Sequence, residues 1–361
     1  MMNSWIKQYD LEIDADFNEY LSIWRSGASR RPHDHPQYMR LMRGDNQSAH
    51  ALVYFEELQA KIIYPFYLIK LDEFEALRVV GGCKKHMVSA YGYGGPVLLN
   101  SDSADFMVFE KLLDKYISEN HIISEFVRED LFSEFKPTRR FESIKQQDNV
   151  VVNLNRTHEE LWSSYKHSVR KNIKRAESSN LEVFFDFDGQ MTEEFVRVYH
   201  LTMSRANASQ LFMITLSAFE ELNAYLHEDK IGFYIHVLLD GVVIATELIL
   251  SSPKNLYSFL GGSDMQYSHL RPSDLLKHKV NTWAIDNGIS RYVLGGGVKP
   301  YDGIYNFKLA FDQEGAHSFC IQRNIHNISS YRELVSAKKS DALQHDESWE
   351  PNPDFFPAYL S

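Results

Sequence analysis

Two landmarks recur along the 361-residue chain at one spacing, and this repeat constrains the fold more than any single motif. The glycine pairs at 94–95 and 261–262 lie 167 positions apart, and Asn120 and Asn287, which each follow a helical pattern, are separated by the same interval. Around both sets of landmarks the chain reads as a hairpin, a strand ending in Gly-Gly, a loop, a helix, an asparagine-containing turn and a strand. A shared order at a fixed interval is typical of an internal repeat. The sequence therefore predicts a duplicated α/β unit with mixed sheets.

Hydrophobic periodicity supplies the elements of each half. Apolar runs flank a polar centre in 49–70, and they flank the Asp240-Gly241 pair in 231–250, which predicts two β-hairpins. Segments 104–119 and 273–287 place apolar residues three and four positions apart, which predicts two amphipathic helices. Each helix is expected to cover one face of its sheet.

Length and the repeat together set the expected domain boundaries. A chain of 361 residues exceeds the size at which a single hydrophobic core usually stops growing, so two packed units are expected. We place a first domain at 1–150 and a second, which contains the candidate transfer site, at 151–335. The remaining residues, 336–361, are charged and then rich in proline and aromatic residues, which favours docking over free disorder.

Charge and cysteine content narrow the classes of function. Lys and Arg total 38 against 49 Asp and Glu, and the formal charge of −11 argues against a surface that binds nucleic acid everywhere. Cys83 and Cys320 are the only cysteines, which excludes a disulfide framework and fits a cytoplasmic location. The most apolar window, which starts at Phe233, is interrupted by Asp240 and Glu247, so no membrane span is expected. The N-terminal residues lack the apolar run of a signal peptide.

Common catalytic and metal-binding motifs are missing from the sequence. No H-E-x-x-H, G-x-S-x-G or C-x-x-C occurs, so the metalloprotease, serine-hydrolase and zinc-ribbon classes are unsupported. His33 and His35 have no further ligands at metal-binding spacing. No metal site is predicted.

A cation-rich helix is predicted between the two halves. Thr157 and Glu160 form a capping-box pattern at its start, in which each side chain satisfies a backbone N–H. An apolar stripe follows, and the opposite side holds five cations within ten residues: Lys166, Arg170, Lys171, Lys174 and Arg175. Such a face is either simply solvated or binds a phosphate-bearing ligand.

Two charged residues stand in apolar surroundings. Lys308, in the run NFKLAF, either extends its ammonium to the surface of a half-buried strand or points into a cleft. In a cleft, the low local dielectric would strengthen its attraction for a phosphate or a developing oxyanion. Glu247, in VVIATELIL, is costly to bury unless it is paired. A structural ion pair and a general-base role are both open for this residue.

A glycine loop and a helix start complete the candidate site. The glycines at 295–297 end the apolar strand ISRYVL without the continuation of a phosphate loop or a dinucleotide fingerprint. The loop either requires positive φ and close backbone approach, or Gly296 and Gly297 line a substrate site at the end of the strand. Ser273 is predicted to cap the second helix, whose free N–H groups bind either water or an anion.

Seven segments together resemble the Fem-type branch of the GNAT acyltransferase superfamily, the branch typified by enzymes of peptidoglycan interpeptide bridges. The resemblance covers roughly residues 30–330, and its segments are SAYGYGGPV (89–97), SEFVRED (124–130), SYKHSVRKNIKRAE (164–177), VYHLTMSRANAS (198–209), LGGSD (260–264), RPSDLLKH (271–278) and LGGGVKPYDGIYNFKLAF (294–311). Members of this family consist of two tandem GNAT-like domains that share a central cleft. The resemblance thus implies the same duplication as the 167-residue repeat.

The resemblance also implies roles for particular residues. Phe307 and Lys308 match the Phe-Lys pair of the family, whose lysine faces the donor end of the active-site cleft. Lys308 is thus expected to stabilise charge during acyl transfer, with Glu247 as a candidate base. The expected substrate-binding or donor-binding residues are Phe307, Tyr91, Tyr93, Gly94, Arg170, Lys174, Arg175, Gly296, Gly297 and Ser273.

The donor and acceptor are less constrained than the fold. Family members transfer amino acids from aminoacyl-tRNA to peptidoglycan precursors, whereas the acyl-CoA pyrophosphate loop of other GNAT enzymes is missing from MQYSHLRPS. The long helical-hairpin arm of some tRNA-using members has no counterpart in the chain. We expect no tightly bound cofactor, an acyl-CoA or aminoacyl-tRNA co-substrate, and an amine acceptor on a sugar-nucleotide or lipid-linked envelope precursor. The alternative is a catalytically silent GNAT-like protein that binds such a precursor or a partner protein.

Overall fold

A computed structural model describes residues 4–100, 104–133, 142–345 and 348–361. The chain divides into two compact units: the first comprises residues 1–29, 33–146 and 320–361, and the second comprises 30–32 and 147–319. Parts of the predicted first domain, 1–150, and of the predicted tail, 336–361, lie outside the described residues. The C-terminal residues differ from the prediction, because 320–361 belong to the first unit.

The N-terminal part of the chain builds most of the first unit. In chain order its elements are β1 (Ser4–Asp10), α1 (Asp14–Ser26), α2 (Pro36–Leu41), β2 (Ser48–Glu56), β3 (Gln59–Lys70), α3 (Arg78–Gly81), β4 (Lys85–Ser89), β5 (Val97–Leu98), α4 (Phe106–Glu119) and β6 (Ile122–Arg128). The strands β2 and β3 form the hairpin predicted for 49–70. Helix α4 buries Phe109, Leu113 and Tyr116 in the core of this unit, as its periodicity predicts.

The middle of the chain builds the second unit. Its elements are β7 (Ser143–Asn153), α5 (His158–Ser164), α6 (His167–Glu177), β8 (Glu182–Asp186), α7 (Thr192–Arg205), α8 (Leu216–Asp229), β9 (Gly232–Leu239), β10 (Val242–Ser251), β11 (Asn255–Ser263), α9 (Pro272–Asp286), β12 (Arg291–Gly295) and α10 (Gly303–Leu309). The hairpin β9–β10 turns at Asp240 and Gly241, which both have positive φ, at 50° and 79°. This geometry matches the two-residue turn that an Asp-Gly pair predicts.

The chain then returns to the first unit through β13 (Ala316–Ile325) and α11 (Ile328–Gln344). Residues Ile321–Ile325 of β13 pair antiparallel with β6. Leu334 of α11 and Tyr359 near the C-terminus are buried together against Ile69 and Ile123. The docking predicted for the C-terminal aromatic residues is therefore observed at Tyr359.

The two units share one strand order. The first unit has the order β1-β2-β3-β4-β6-β13, and the second has β8-β9-β10-β11-β12-β7. In each unit, neighbouring strands are antiparallel except for one parallel pair, β4–β6 or β11–β12. Asn120 and Asn287 are the C-cap residues of α4 and α9, the helices that connect these parallel strands. The predicted fold class, two repeated α/β units with mixed sheets, is confirmed.

The glycine pairs of the repeat do not occupy equivalent positions in the two units, although their spacing suggests that they do. The glycines at 261–262 lie within β11, whereas those at 94–95 lie beyond the end of β4. The strand registers differ by two residues from the 167-residue interval, since Val88 and Tyr257 occupy matching positions opposite Phe126 and Val293. The helix ends are therefore the better marker of the duplication.

The cation-rich segment contains two helices where one was predicted. Helix α5 ends at Ser164, and Tyr165 and Lys166 are extended, with ψ of 143° and 147°, before α6 begins. The capping box of Thr157 and Glu160 is confirmed at the start of α5. Both helices bury their apolar residues in one core, which explains why the apolar stripe continues across the break.

Across the described residues, none of the helices combines the length and apolar character required to cross a membrane.

Candidate active site

The parallel strands β11 and β12 separate along their length. They pair only at Asn255–Tyr257 and Arg291–Val293. Beyond these positions β11 continues beside β10 as far as Ser263, and β12 continues beside β7 as far as Gly295. Between the separated strands, which we call the strand opening, the facing backbone edges can accept an extended ligand.

A buried lysine and glutamate lie beside the strand opening. Lys277 of α9 donates to Glu247 Oε1 of β10 at 2.5 Å and to Ser258 Oγ of β11 at 2.8 Å. Lys277 Nζ also lies 3.0 Å from the hydroxyl of Tyr292 on β12, which itself donates to Glu247 Oε1. Lys277 is 8% exposed and Glu247 is 5% exposed. The carboxylate of Glu247 therefore forms the ion pair that the sequence left open as one of its two interpretations.

Burial and the partner charge act in opposite directions on Lys277. Removal of its ammonium from water lowers the pKa of Lys277, and the adjacent carboxylate of Glu247 partly offsets this effect. The net direction is downward. Each hydrogen of the ammonium has an oxygen partner, as a charge in so apolar a site requires.

Lys308 lies on a short helix and not on the predicted strand. Asp302 caps α10 by accepting from the backbone N–H of Tyr305 at 2.8 Å, and Lys308 is in the last turn. The apolar run NFKLAF is too short for periodicity to separate a strand from a helix, and this local cap determines the outcome. Phe307 is partly buried and packs its ring against Phe311 at 5.4 Å.

The ammonium of Lys308 is held at the end of β12. Its Nζ donates to the carbonyl oxygen of Gly296 at 2.6 Å. The pKa of Lys308 is lowered to about 8, mainly by burial and also by the positive charge of Lys277, while Glu247 and Asp302 act in the opposite direction. Lys308 thus belongs to the same electrostatic cluster as Lys277 and Glu247, and we call these three residues the buried charge cluster.

The glycine loop allows this contact. Gly295 ends β12 with a φ of 76°, which only glycine adopts readily. A Cβ on Gly296 would lie 2.3 Å from Gln147 Nε2, so a side chain at this position would have to displace the end of Gln147. Gly297 lies against Asp302, the cap of α10. Backbone conformation and close approach therefore explain the glycines, and the same loop presents the carbonyl group that binds Lys308.

Comparison with known proteins shows which folds this geometry resembles. A sequence-family model described as an acetyltransferase (GNAT) domain matches residues 163–303, which include β11, β12, Lys277 and Glu247. The crystal structure of FemX is similar over 86% of this chain and 94% of its own, with a TM-score of 0.61 and 12% identity. The chain has a Fem-like GNAT fold.

Two further solved structures resemble this Fem-like GNAT fold. The C-terminal domain of a putative lysylphosphatidylglycerol synthetase from Agrobacterium fabrum has a TM-score of 0.54 and 12% identity, with coverage of 90% of this chain and 97% of its own. A conserved protein of unknown function from Bacteroides thetaiotaomicron has a TM-score of 0.52 and 12% identity, with coverage of 90% and 99%. None of the curated proteins compared with the chain matches it in sequence. At these identities the likeness is one of fold.

The cations of α6 have different surroundings. Arg170 is half-buried, and its guanidinium donates to the carbonyl oxygen of Tyr165 and to that of Ser163 at 3.3 Å, at the end of α5. Lys174 and Arg175 are exposed on the outer face of α6. Arg170 therefore closes the break between the helices, while the other two cations remain accessible to solvent.

The helix α9 begins differently from its predicted start. It starts at Pro272, after Arg271 in the left-handed conformation with φ 62° and ψ 41°, so Ser273 lies inside the first turn. Proline suits the first helical position because its fixed φ is already helical. The prediction of Ser273 as the N-cap is wrong.

Three predicted binding residues lie together in the first unit. The carbonyl oxygen of Tyr91 accepts from the hydroxyl of Tyr38 at 2.8 Å, and the ring of Tyr93 packs edge-on against His33 at 5.3 Å. Gly94 lines a cavity of about 310 Å³ in that unit. Lys308, Glu247, Phe307, Gly296 and Gly297 all lie in the second unit.

Sequence reasoning missed Lys277 and its two hydroxyl partners, Ser258 and Tyr292. A signal for Lys277 was present, because Lys277, Val280, Asn281 and Ala284 share one helical face and all four are buried. A lysine on the core-facing stripe of a helix needs a buried partner. Ser258 and Tyr292 have no comparable signal, since their role depends on how the strands pair.

Proposed function

We propose that this chain is a GNAT-type N-acyltransferase that moves an acyl or aminoacyl group onto an amine of a sugar-nucleotide or cell-envelope precursor. The observation that supports this proposal is the position of Lys308, whose half-buried ammonium lies at the end of β12, next to the strand opening of a GNAT domain. An extended donor in the strand opening would bring its carbonyl carbon towards this end of the sheet.

The proposed reaction forms one amide bond. The neutral amine attacks the donor carbonyl, and the C–N bond forms as the thioester C–S or ester C–O bond breaks. The proton lost by the amine goes to the leaving thiolate or alkoxide, directly or through the substrate's own groups. An oxyanion develops on the carbonyl oxygen in between, and a preorganised cation next to it lowers the barrier.

Lys308 suits the task of stabilising this oxyanion. Its ammonium donates one hydrogen bond to the carbonyl oxygen of Gly296, and its other two hydrogens can bind a ligand. A pKa of about 8 keeps most of the side chain charged at neutral pH. Because Glu247 is bound to Lys277 and Tyr292, it acts in this proposal by holding the buried charge cluster together.

Exposed cations are suited to the anionic part of the donor. Lys174 and Arg175, with Lys171 on the same helix, face solvent on α6. Acyl-CoA and aminoacyl-tRNA both carry phosphates that such residues attract. Activity that falls steeply with salt would indicate the tRNA donor, because many phosphate contacts release counterions, whereas weak salt dependence would indicate a thioester.

The test is replacement of Lys308 by methionine, which keeps the length and removes the charge. Amide product would be measured by mass spectrometry in mixtures of acetyl-CoA or charged tRNA with amino-sugar nucleotides. We expect Lys308→Met to lose at least about 100-fold in turnover, the scale of removing one oxyanion-stabilising group. Lys299→Met, an exposed lysine in the neighbouring loop, is the matched control and should keep its turnover.

Two outcomes would contradict the proposal. Unchanged turnover in a folded Lys308→Met protein would refute the role of this lysine. Tight binding of a precursor with no amide in any mixture would favour a silent binding protein.

A further inference from the structure

A second cavity lies in the second unit, at the end of the strands opposite to the end where Lys308 lies. Its volume is about 750 Å³, and its walls include the start of β9, the end of β10 and the C-terminal ends of α8 and α9. Ile289 of this cavity precedes β12, whereas Gly296, the partner of Lys308, follows it. With a rise of about 3.3 Å per residue, β12 separates the two places by roughly 15 Å. The cavity is therefore distinct from the buried charge cluster.

The floor of this cavity is aromatic. Phe187 follows β8 directly and is 41% exposed, although it is a large apolar side chain. Its ring lies 5.2 Å from Phe233 and 5.8 Å from Trp283, and Trp283 is itself only half-buried. The rings of Phe187 and Trp283 are inclined by 41°, so a planar ring can stack on one of them and contact the other.

The lining of the cavity also contains polar residues and cations. Arg30 and Lys230 are exposed there, and Lys230 is fixed in the left-handed conformation at the end of α8. Two carboxylates also line the cavity. Asp188 is paired with His227 at 2.9 Å, and Asp229 is buried with partners of its own. The two exposed cations are therefore the groups best placed to attract an anion.

We propose that this cavity binds a nucleotide, with its base stacked on Phe187 beside Trp283 and its phosphate directed to Arg30 and Lys230. An aromatic platform beside cations fits a planar base joined to an anionic group better than it fits an alkyl chain, which would leave the cations unused. The volume is within the range of small-molecule sites. This proposal does not rest on the acyltransferase function. The nucleotide would bind at the opposite end of the strands from Lys308, and it is not the proposed acyl donor.

The experiment is calorimetric titration of the full chain with uridine 5′-monophosphate, adenosine 5′-monophosphate and uridine. We expect both nucleotides to bind, and uridine to bind at least about threefold more weakly because it lacks the phosphate. Phe187→Ala should weaken nucleotide binding about tenfold. Arg30→Gln should weaken binding of the monophosphate and leave binding of uridine unchanged.

Phe184→Ala is the matched control for Phe187→Ala. Phe184 lies on the same short segment and is 37% exposed, but its ring stacks on His236. The Phe184→Ala protein should bind nucleotides as tightly as the unaltered chain. Circular dichroism would verify that both variants are folded. Equal loss in the two phenylalanine variants, no heat with any nucleotide at millimolar concentration, or binding that requires an oligonucleotide would each overturn the proposal.

Discussion

Lys308 and Lys277 carry like charges in one buried region of the second unit. Each charge raises the free energy of the other, and Glu247 is the neighbouring group that offsets both effects. The pKa of Lys308 is lowered mainly by burial, and Lys277 and Glu247 add opposing contributions. Any variant in the cluster should change how Lys308 titrates.

The first prediction concerns the pH dependence of turnover. Lys308 has a pKa of about 8, so it is charged below that pH and neutral above it. If the charged form stabilises the oxyanion, turnover measured with saturating substrates should fall as pH rises through about 8. Lys308→Arg, whose guanidinium stays charged to above pH 12, should lack this fall even if its rate is lower. A rate that rises through pH 8 and then stays level would instead indicate that neutral Lys308 acts as a base.

The second prediction concerns the ion pair of Glu247 and Lys277. Glu247→Leu leaves the ammonium of Lys277 buried without its counter-charge and should lower the free energy of unfolding by about 3–5 kcal/mol. The double variant Glu247→Leu/Lys277→Met removes both charges and should recover most of this loss. Urea denaturation checks both values. A double variant no more stable than Glu247→Leu alone would show that packing, and not the unpaired charge, accounts for the loss.

For single residues, the sequence predicts that a buried charge needs a partner but does not identify that partner. The apolar setting of Glu247 indicates that it needs a partner, but the partner lies thirty positions away on another element. Only the pairing of β10 with β11, and the packing of α9 across them, brings Lys277 to it. The ion pair of Glu247 therefore depends on tertiary packing, which the sequence pattern does not show.

At the scale of elements, the sequence predicts the helices and hairpins that local interactions stabilise. The hairpins follow from alternation and from the Asp-Gly turn, and the helices α4 and α9 follow from their apolar stripes. The break between α5 and α6 has no such signal, because the apolar stripe runs through it in register. At the break, Arg170 binds carbonyl groups at the end of α5, where an interrupted helix leaves carbonyls without intrahelical N–H partners.

The third prediction tests this role of Arg170. Arg170→Met removes the donors for the end of α5 and should lower the free energy of unfolding by about 1–2 kcal/mol. Lys174→Met, four residues along the same helix and exposed, should change it by less than about 0.5 kcal/mol. Chemical denaturation of the two variants provides the comparison. Equal effects on stability would mean that Arg170 does not hold the break.

At the scale of the whole molecule, the internal repeat predicts two units but does not predict to which unit the C-terminal residues belong. The repeated landmarks lie between residues 94 and 293, so they contain no information about later residues. The assignment of 320–361 to the first unit depends on β13 pairing with β6 and on the burial of Tyr359. Both are contacts between residues far apart in sequence.

The fourth prediction concerns this C-terminal segment. The hydroxyl of Tyr359 lies 2.6 Å from Ser124 Oγ, which also contacts His86 Nδ1 at 2.8 Å, and Tyr359 is 1% exposed. Deleting residues 354–361 removes this buried ring and should cost about 3–5 kcal/mol in the unfolding of the first unit. Tyr359→Phe should cost only about 1–2 kcal/mol, because it keeps the ring and loses one hydrogen bond. Thermal denaturation of both proteins would show whether the deletion is the more damaging change.

The return of the chain to its first unit has a consequence for protein synthesis. Nearly all of the second unit, residues 147–319, is continuous and leaves the ribosome before the first unit has all its parts. Until residues 320–361 emerge, the nascent chain exposes the edge of β6 and the apolar surface that Tyr359 later covers. Domains usually fold in the order of their translation. In this chain, the half that begins first is completed last.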